Sequence, residues 1–487
     1  MDQEIESLNK NKVWELVELP EGERSMTCKW VLCIKRNNIY KARLVARGFE
    51  QRLGVNYNET YAPVIGMSYL RLMFAIFLQK NFKMYVLDVK TAFLNGHLDE
   101  TIFMDQPKGY DDKSGRVCKL LKSLYGLKQA PRQWFKRFTD FIFKLNFQQF
   151  KFESCVFVKR SNNCEIYILL YVDDLILAGS NEAEVQIVIQ LLRKEFEMSK
   201  ADIADEFLGI NLEYVDDKLC LSQKAYIDKV LARFKMTECK PCDTPLVPKS
   251  TVSDFIDGEE FHGPYRELVG ALLYLSMTSR PDTLYSVNCL SQVQERPTVA
   301  AWGGLKRILR YLKGTSELKL IFQRYITDEV NLNVYVDADW GSDVKDRKSV
   351  SGYIIFFNDC PVIWCVKKQS SIALSSTEAE ILSLARAVQD LIVLYNITKE
   401  VLNCKMIHMS IFEDNQSAIK AILNDNNCAR LKHLDIKLKY VREIIKFNKI
   451  NILYIATGNQ LADLFTKCLP KPKLVSLRSG CKLACSD

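Results

Sequence analysis

Seven acidic residues stand within apolar runs or near the ends of elements, where carboxylates could do chemistry together. Asp173 and Asp174 interrupt an apolar stretch from Ile166 to Gly179, and Asp88 closes the apolar run Met84-Tyr-Val-Leu87. Desolvating an unpaired carboxylate costs several kcal/mol, so something positive must compensate these groups. A divalent ion does so. A pair of ions about 4 Å apart can activate an attacking 3′-hydroxyl and stabilise a leaving pyrophosphate oxygen. For Tyr171-Val-Asp-Asp174 alone, an ordinary exposed Asp-Asp turn is the alternative. A second group lies near element ends further on: Asp337 after Asn333-Val-Tyr-Val336, Glu380 in an early helix turn, Asp414 after Ser410-Ile-Phe412, and Asp463 in a late helix. Taken singly, each of these four fits a solvated acid.

The elements that must position these acids follow from periodicity. Trp14 to Gln51 alternates apolar residues (Trp30, Val31, Leu32, Ile34) with Lys35, Arg36, Lys41, Arg43 and Arg47, the pattern of short strands with a cationic face or of an ordinary solvated sheet. Leu70 to Leu78 reads as a helix and Met84 to Leu87 as a buried strand ending at Asp88. A second helix, mostly core, starts just after Pro131. Ile166 to Gly179 reads as a hairpin with the acid pair at its turn. Cys239 to Asp257, rich in Pro, Lys, Thr and Asp, reads as a linker, and Tyr265 to Leu312 as helical. From Asn331 the pattern becomes strands near Val334, Tyr353 and Val362, a long helix from Thr377, a strand near Ile411, then helix, strand and helix, a separate α/β domain. On the long helix Glu380 shares a stripe with Leu384, Ala387 and Leu391 and so faces a sheet, whereas Glu378 sits three residues after Ser375, the spacing of a capping box.

These residues resemble a known family. Tyr171-Val-Asp-Asp174 is similar to the reverse transcriptase active-site box, and Leu87-Asp-Val-Lys-Thr-Ala-Phe-Leu-Asn-Gly96 to its partner motif in the Ty1/copia retrotransposons. Leu124-Tyr-Gly-Leu-Lys-Gln-Ala-Pro-Arg-Gln-Trp134, Trp14-Glu-Leu-Val17, Lys29-Trp-Val31 and Lys41-Ala-Arg-Leu-Val-Ala-Arg-Gly48 match the same family. The resemblance implies a right-hand polymerase with fingers from about Trp14 to Tyr61 and a palm in which Asp88 and Asp173 bind both magnesium ions and Asp174 supports them. It places Phe93 against the sugar 2′ position as a filter for deoxynucleotides, a role compatible with core packing. Lys35 and Arg43 would hold the incoming triphosphate, since cationic groups suit phosphate oxygens. Tyr125 and Gly126 would face nucleotide and template, the glycine allowing close backbone approach.

The second acid group resembles ribonuclease H: Val336-Asp-Ala-Asp-Trp340, Ser375-Ser-Thr-Glu-Ala-Glu380, Glu413-Asp-Asn-Gln-Ser417 and Gly458-Asn-Gln-Leu-Ala-Asp463 are similar to the copia-type versions of its four boxes. The resemblance implies that Asp337, Glu380, Asp414 and Asp463 hold two magnesium ions, with manganese as a substitute, that activate water against an RNA phosphodiester. His433 and Asp435, in Lys432-His-Leu-Asp435, match a further box, with a capping or buried role as the alternative to a catalytic one. Tyr265 to Tyr274 and Arg307 to Gly314 also match. Their basic residues fit a thumb or connection that tracks a primer-template backbone. Ala301-Trp302 stands where relatives carry His-Trp.

The implied fold class is α+β/α/β multidomain: a right-hand polymerase (fingers, palm, thumb/connection) followed by a ribonuclease H-like α/β domain. Expected boundaries are 1–245 for fingers and palm, 246–330 for thumb or connection, 331–470 for the ribonuclease H-like domain and 471–487 for a tail. The implied substrates and partners are an RNA template, a DNA primer, RNA/DNA hybrid and deoxynucleoside triphosphates, with other element proteins as further partners.

Composition agrees without deciding. A chain of 487 residues must divide its core, and a net charge of +8 fits a polyanionic partner without demanding one. Sixteen scattered cysteines and no opening secretory signal point to reduced thiols in the cytosol, in an element particle, or in the nucleus, rather than to secretion. No apolar run approaches the ~20 residues of a membrane span, so no membrane partner is expected. With no zinc knuckle, protease box or integrase ligand set, the chain reads as the C-terminal portion of a polyprotein. The rival from another class is a noncatalytic nucleic-acid-binding protein, which would bind with salt sensitivity but synthesise nothing.

Overall fold

In the computed structural model, which describes residues 1–34, 40–161, 164–199, 201–325, 329–402, 406–424 and 435–485, the apolar runs that end in acids are strands. The chain forms two units, Met1–Ile65 with Lys83–Ile203, and Gly66–Phe82 with Ala204–Asp487.

The first unit is built on a six-stranded antiparallel sheet. Its order is Asp202–Ile203, Met84–Asp88, Asp174–Gly179, Cys164–Tyr171, Val156–Ser161, Gln148–Gln149. The central strands are apolar because helices Ala130–Lys144 and Glu182–Glu195 cover them: Trp134, Phe138 and Ile142 from one helix and Val185, Val188 and Leu192 from the other join Leu87, Ile168 and Leu175 in a single core. Pro131 sits in the first turn of Ala130–Lys144, where its missing N–H costs nothing. A three-stranded sheet (Trp14–Val17, Val117–Lys122, His97–Met104) and a hairpin (Cys28–Ile34 with Tyr40–Ala46) complete the unit. Leu32, Ile34 and Tyr40 on that hairpin are exposed.

The second unit starts with helix Met67–Gln79, in which every residue from Leu70 to Leu78 is buried. Arg71 lies inside this apolar run. Its guanidinium donates to the carbonyls of Val362 (3.0 Å), Met277 (2.6 Å) and Thr278 (3.1 Å) and lies over the Trp364 ring. These bonds replace water for a fully buried cation and tie the helix to residues far away in sequence. A five-stranded antiparallel sheet runs Glu206–Phe207, Ile210–Val215, Lys218–Ser222, Lys319–Gln323, Leu483–Ala484. The expected helical region is three helices, Tyr265–Thr278, Leu284–Ser291 and Val299–Gly314. The expected α/β domain is a mixed sheet ordered Cys360–Lys368, Val350–Phe357, Val330–Asp339, Ile407–Glu413, Asn451–Tyr454. Its first three strands are antiparallel and the last two run parallel to Val330–Asp339.

Three expectations change. Asp463 lies in a single 3-10 segment, Leu461–Phe465, capped by the Gln460 side chain, and not in a longer helix. The residues expected as a tail contain helix Lys471–Gly480 and a strand paired with Lys319–Gln323, and Cys481 is fully buried. Helix Ser376–Leu402 is long and apolar enough to cross a membrane by length and composition. It also carries Arg386 and Asp390 in its middle, and most of its apolar residues from Ile381 to Val401 are buried in the unit's core.

Candidate active sites

The first acid group is assembled by strand register. Asp174 pairs directly with Asp88 across neighbouring strands, and Asp174 also pairs with Tyr171, leaving Val172 and Asp173 as a two-residue hairpin loop. Such loops favour glycine at the first position because φ is positive there, yet Val172 occupies it with φ of 56°. A β-branched residue in that region costs about 1–3 kcal/mol, so the surroundings must hold it. They do. The buried Trp134 indole N–H donates to the Val172 carbonyl at 2.5 Å, and the Asp173 carbonyl accepts from Val89 N–H at 2.9 Å. Asp88 is fixed from its other side by Ser199, whose hydroxyl accepts the Asp88 N–H at 2.9 Å.

The electrostatics of the trio are those of crowded carboxylates. Burial raises Asp173, Asp88 adds to the rise, and Arg43 and Lys41 oppose it. Asp174 is pushed up to about 6 by burial, then by Asp173 and Asp88. Above the ordinary 3.8, this value means that the folded protein holds the proton more tightly than the unfolded chain. The associated stability is therefore complete below pH 3.8 and is lost as pH rises through about 6. In chelator at neutral pH, Asp174→Asn is expected to raise Tm by a few degrees, with the advantage disappearing in acid. Thermal unfolding of parent and variant at the two pH values checks this, and equal Tm at neutral pH would show that Asp174 is solvated.

The expected nucleotide-binding residues come together beside the trio. The Arg43 guanidinium lies 4.5 Å from the Tyr125 ring centroid, and Tyr125 meets Phe93 edge-on at 5.1 Å. Asp173 and Asp88 both raise the Tyr125 hydroxyl, although burial is the larger cause. Gly126 has φ of 94°, and a Cβ there would lie 2.1 Å from the Ala46 carbonyl oxygen. The close approach that demands glycine is thus to the hairpin strand Tyr40–Ala46. Lys35 lies outside the described residues. Nothing in the local sequence marks Val172 as a left-handed turn residue, or Ser199 as a partner of Asp88.

The second acid group is the tighter one. Asp337, Glu380 and Asp414 each offer an oxygen, all within 4.8 Å of one another, and among the described residues no other three acids, histidines or cysteines meet that closely. Asp337 stands on the central strand Val330–Asp339, Glu380 in the first turns of Ser376–Leu402, and Asp414 just past Ile407–Glu413. The Ser383 hydroxyl donates to the Asp337 carbonyl at 2.9 Å and locks helix to strand, while the Gln460 amide donates to the Val336 and Phe412 carbonyls at 2.9 and 3.3 Å. Glu378 caps the helix: its N–H donates to the Ser375 hydroxyl at 3.2 Å and its carboxylate accepts from Leu374 N–H at 2.7 Å.

Asp463 is brought to the cluster but differently engaged. It is fully buried, and the ammonium groups of Lys467 (2.5 Å) and Lys473 take its two oxygens. Sequence reading missed these lysines and also Glu413, which is fully buried and is the largest charged influence raising Glu380. Burial pushes Asp337 up to about 6, and Lys467 opposes that rise. Glu380 and Glu413 are raised well above the ordinary carboxylate range, by burial and then by neighbouring acids for Glu380. Among the described residues, Oε2 of Glu380 and Oε2 of Glu413 are buried without a hydrogen-bond partner. Orphaned carboxylate oxygens beside further acids are a donor set suited to a hard divalent cation. His433 lies outside the described residues, and Asp435 begins helix Asp435–Asn448.

Comparison with known proteins bears most directly on the segment that holds the first acid group. The family model described as reverse transcriptase (RNA-dependent DNA polymerase) matches residues 11–248. The foamy viral protease-reverse transcriptase, solved in complex with double-stranded DNA, has the same overall fold. Its TM-score is 0.51 at 12% identity, covering 94% of this chain and 69% of that one. The fold is that of the reverse transcriptase class within a mixed α/β, multidomain chain.

The chain belongs to the Ty1/copia-type family of retrotransposon Pol proteins. It is 38% identical over 490 residues to the retrovirus-related Pol polyprotein from transposon TNT 1-94 of Nicotiana tabacum, covering 97% of this chain and 37% of that protein. It is 32% identical to the putative transposon Ty5-1 protein of Saccharomyces cerevisiae, covering 63% of this chain and all of that protein. The chain spans about a third of the length of the Pol polyproteins it matches over nearly all its residues.

Proposed function

We propose that this chain is an RNA-directed and DNA-directed DNA polymerase that also cleaves the RNA of RNA/DNA hybrids, copying retrotransposon RNA into DNA. The observation that carries the reading is the Asp88–Asp174 register pair with Asp173 held at the hairpin turn, inside the segment that matches the reverse transcriptase family.

Asp88 and Asp173, supported by Asp174, would hold magnesium ions at the polymerase site, and Asp337, Glu380, Asp414 and Asp463 would hold them at the nuclease site. When bound, such ions supply Lewis-acid activation of a hydroxyl or water and neutralise charge on phosphate oxygens. The chain's own residues do the rest. Trp134 and Val89 fix the backbone on which Asp173 stands, Arg43 offers donors for a triphosphate while packed on Tyr125, and the Phe93 ring beside Tyr125 narrows the space next to the acids. The substrates are RNA or DNA template, DNA primer and deoxynucleoside triphosphates, and the reaction takes place in the element's cytoplasmic particle or in the nucleus.

Phe93→Val is expected to raise ribonucleotide incorporation relative to deoxynucleotide about tenfold or more, because losing the ring opens room for a 2′-hydroxyl. Competition between the two sugars on one template measures it. Unchanged selectivity would leave Phe93 a packing residue against Tyr125. The reading as a whole is tested by magnesium-dependent, template-dependent extension of a primer by the purified protein; binding without synthesis would overturn it.

A further inference from the structure

Five carboxylates, Asp337, Glu380, Glu413, Asp414 and Asp463, gather around the second site, and the cations facing them are Lys467 and Lys473. The lysines are not spread evenly. Lys467 bridges Asp463 (2.5 Å) and Asp337 (3.2 Å), and Lys473 takes the other oxygen of Asp463. The same Asp337 oxygen that faces Lys467 also accepts from the Thr466 hydroxyl. Among the described residues the other side of the cluster has no such cover. Asp337, Glu380 and Asp414 approach within 4.8 Å, and the buried Oε2 atoms of Glu380 and Glu413 have no hydrogen-bond partner among the described residues. Among the described residues, one side of Asp337 is thus closed by an ammonium, and no cation covers the other.

We propose that Lys467 is a built-in counter-ion: its ammonium bridges Asp337 and Asp463, so that the cluster takes one divalent ion readily through Asp337, Glu380 and Asp414, and a second through Asp463 only when Lys467 is displaced. The physical reason is charge and space. Both oxygens of Asp463 carry an ammonium group, and although each keeps a further lone pair, a divalent ion approaching Asp463 from the Asp337 side meets the Lys467 ammonium and must displace it. Without any positive partner, the buried carboxylates of Asp337 and Asp463 would repel each other, and the ammonium between them offsets that cost while no metal is bound. Lys467 is a positioning residue in this arrangement. It sits four residues after Asp463, and its backbone N–H donates to the Asp463 carbonyl at 3.1 Å, which closes the turn that brings the ammonium to both acids. The inference uses the same carboxylates as the proposed nuclease site but does not depend on the nuclease reaction.

The test is metal stoichiometry in the full chain carrying Asp173→Asn, counting bound Mn²⁺ by electron paramagnetic resonance during titration. With Lys467 present, one ion is expected to bind at the cluster and a second at least about tenfold more weakly. Lys467→Gln is expected to tighten the second ion roughly tenfold and the first by much less, and Lys467→Arg to restore the wide separation. Equal tightening of both ions, or an unchanged second ion, would overturn the proposal. Thermal unfolding gives an independent reading. In chelator Lys467→Gln should lower Tm, and excess Mn²⁺ should abolish the deficit, whereas a deficit indifferent to metal would make Lys467 a packing residue and overturn the proposal. Hybrid cleavage is assayed separately. Ions bound in the expected pattern by a protein that cleaves nothing would sink the nuclease reading and leave the counter-ion assignment standing.

Discussion

Replacing Asp173 by Asn is expected to reduce extension on both RNA and DNA templates by about a thousandfold or more, while RNA cleavage in a hybrid continues at close to the parent's rate. The substitution is nearly isosteric and leaves the hairpin intact, since the turn is held by backbone groups: the Val172 carbonyl accepts from Trp134 and the Asp173 carbonyl from Val89. What it removes is one negative charge from a trio in which Asp88 raises Asp173 and both raise Asp174. A site that depends on cations cannot absorb that loss by rearrangement. Cleavage persists because Asp337, Glu380, Asp414 and Asp463 belong to another unit of the chain. Gel-resolved extension alongside hybrid cleavage measures both. Residual synthesis near the parent's rate would remove Asp173 from the site, and loss of both activities would indicate misfolding.

The second large effect separates two glutamates only two residues apart. Glu380→Gln should abolish nearly all hybrid cleavage, and Glu378→Gln should leave it largely intact. Their effects on stability in chelator should run the other way. Glu380 is buried against Glu413, Asp337 and Asp414, so neutralising it relieves repulsion and raises Tm. Glu378 accepts the Leu374 N–H at 2.7 Å, and weakening that charge-assisted cap should cost about 1 kcal/mol. Cleavage and unfolding of both variants, with and without magnesium, give a crossed pattern: one dead and more stable, the other active and less stable. The reverse pattern would mean that the register of helix Ser376–Leu402 is misassigned.

Much of this arrangement is legible in the chain before any coordinates. Acids at the ends of apolar runs mark strand ends, so Asp88, Asp173 and Asp174 appear where periodicity puts them, whereas Asp337 lies within strand Val330–Asp339 and not after it, and the Ser375 to Glu378 spacing anticipates the cap. What periodicity does not report is contact between residues far apart in sequence. Thr466 and Asp337 are hydrogen-bonded across 129 positions, and Lys467 reaches the same carboxylate, yet locally Lys467 reads as one more surface lysine. Glu413 was hidden for another reason. It stands beside Asp414, and only the strand's alternation decides which of the two points into the core. The left-handed Val172 contradicts local turn preference, because a tertiary bond from Trp134 outweighs the conformational cost. Helix Met67–Gln79 was legible as a helix, but its place in the second unit depends on where Arg71 finds carbonyls.

The most direct measurement is primer extension on an RNA template by the purified chain, with magnesium and with chelator, alongside Asp173→Asn. DNA synthesis that requires magnesium and the template, and that the substitution abolishes, is the expected result. Salt-sensitive binding of the primer-template with no synthesis under any metal condition would contradict it, and would make the chain a nucleic-acid-binding protein without polymerase activity.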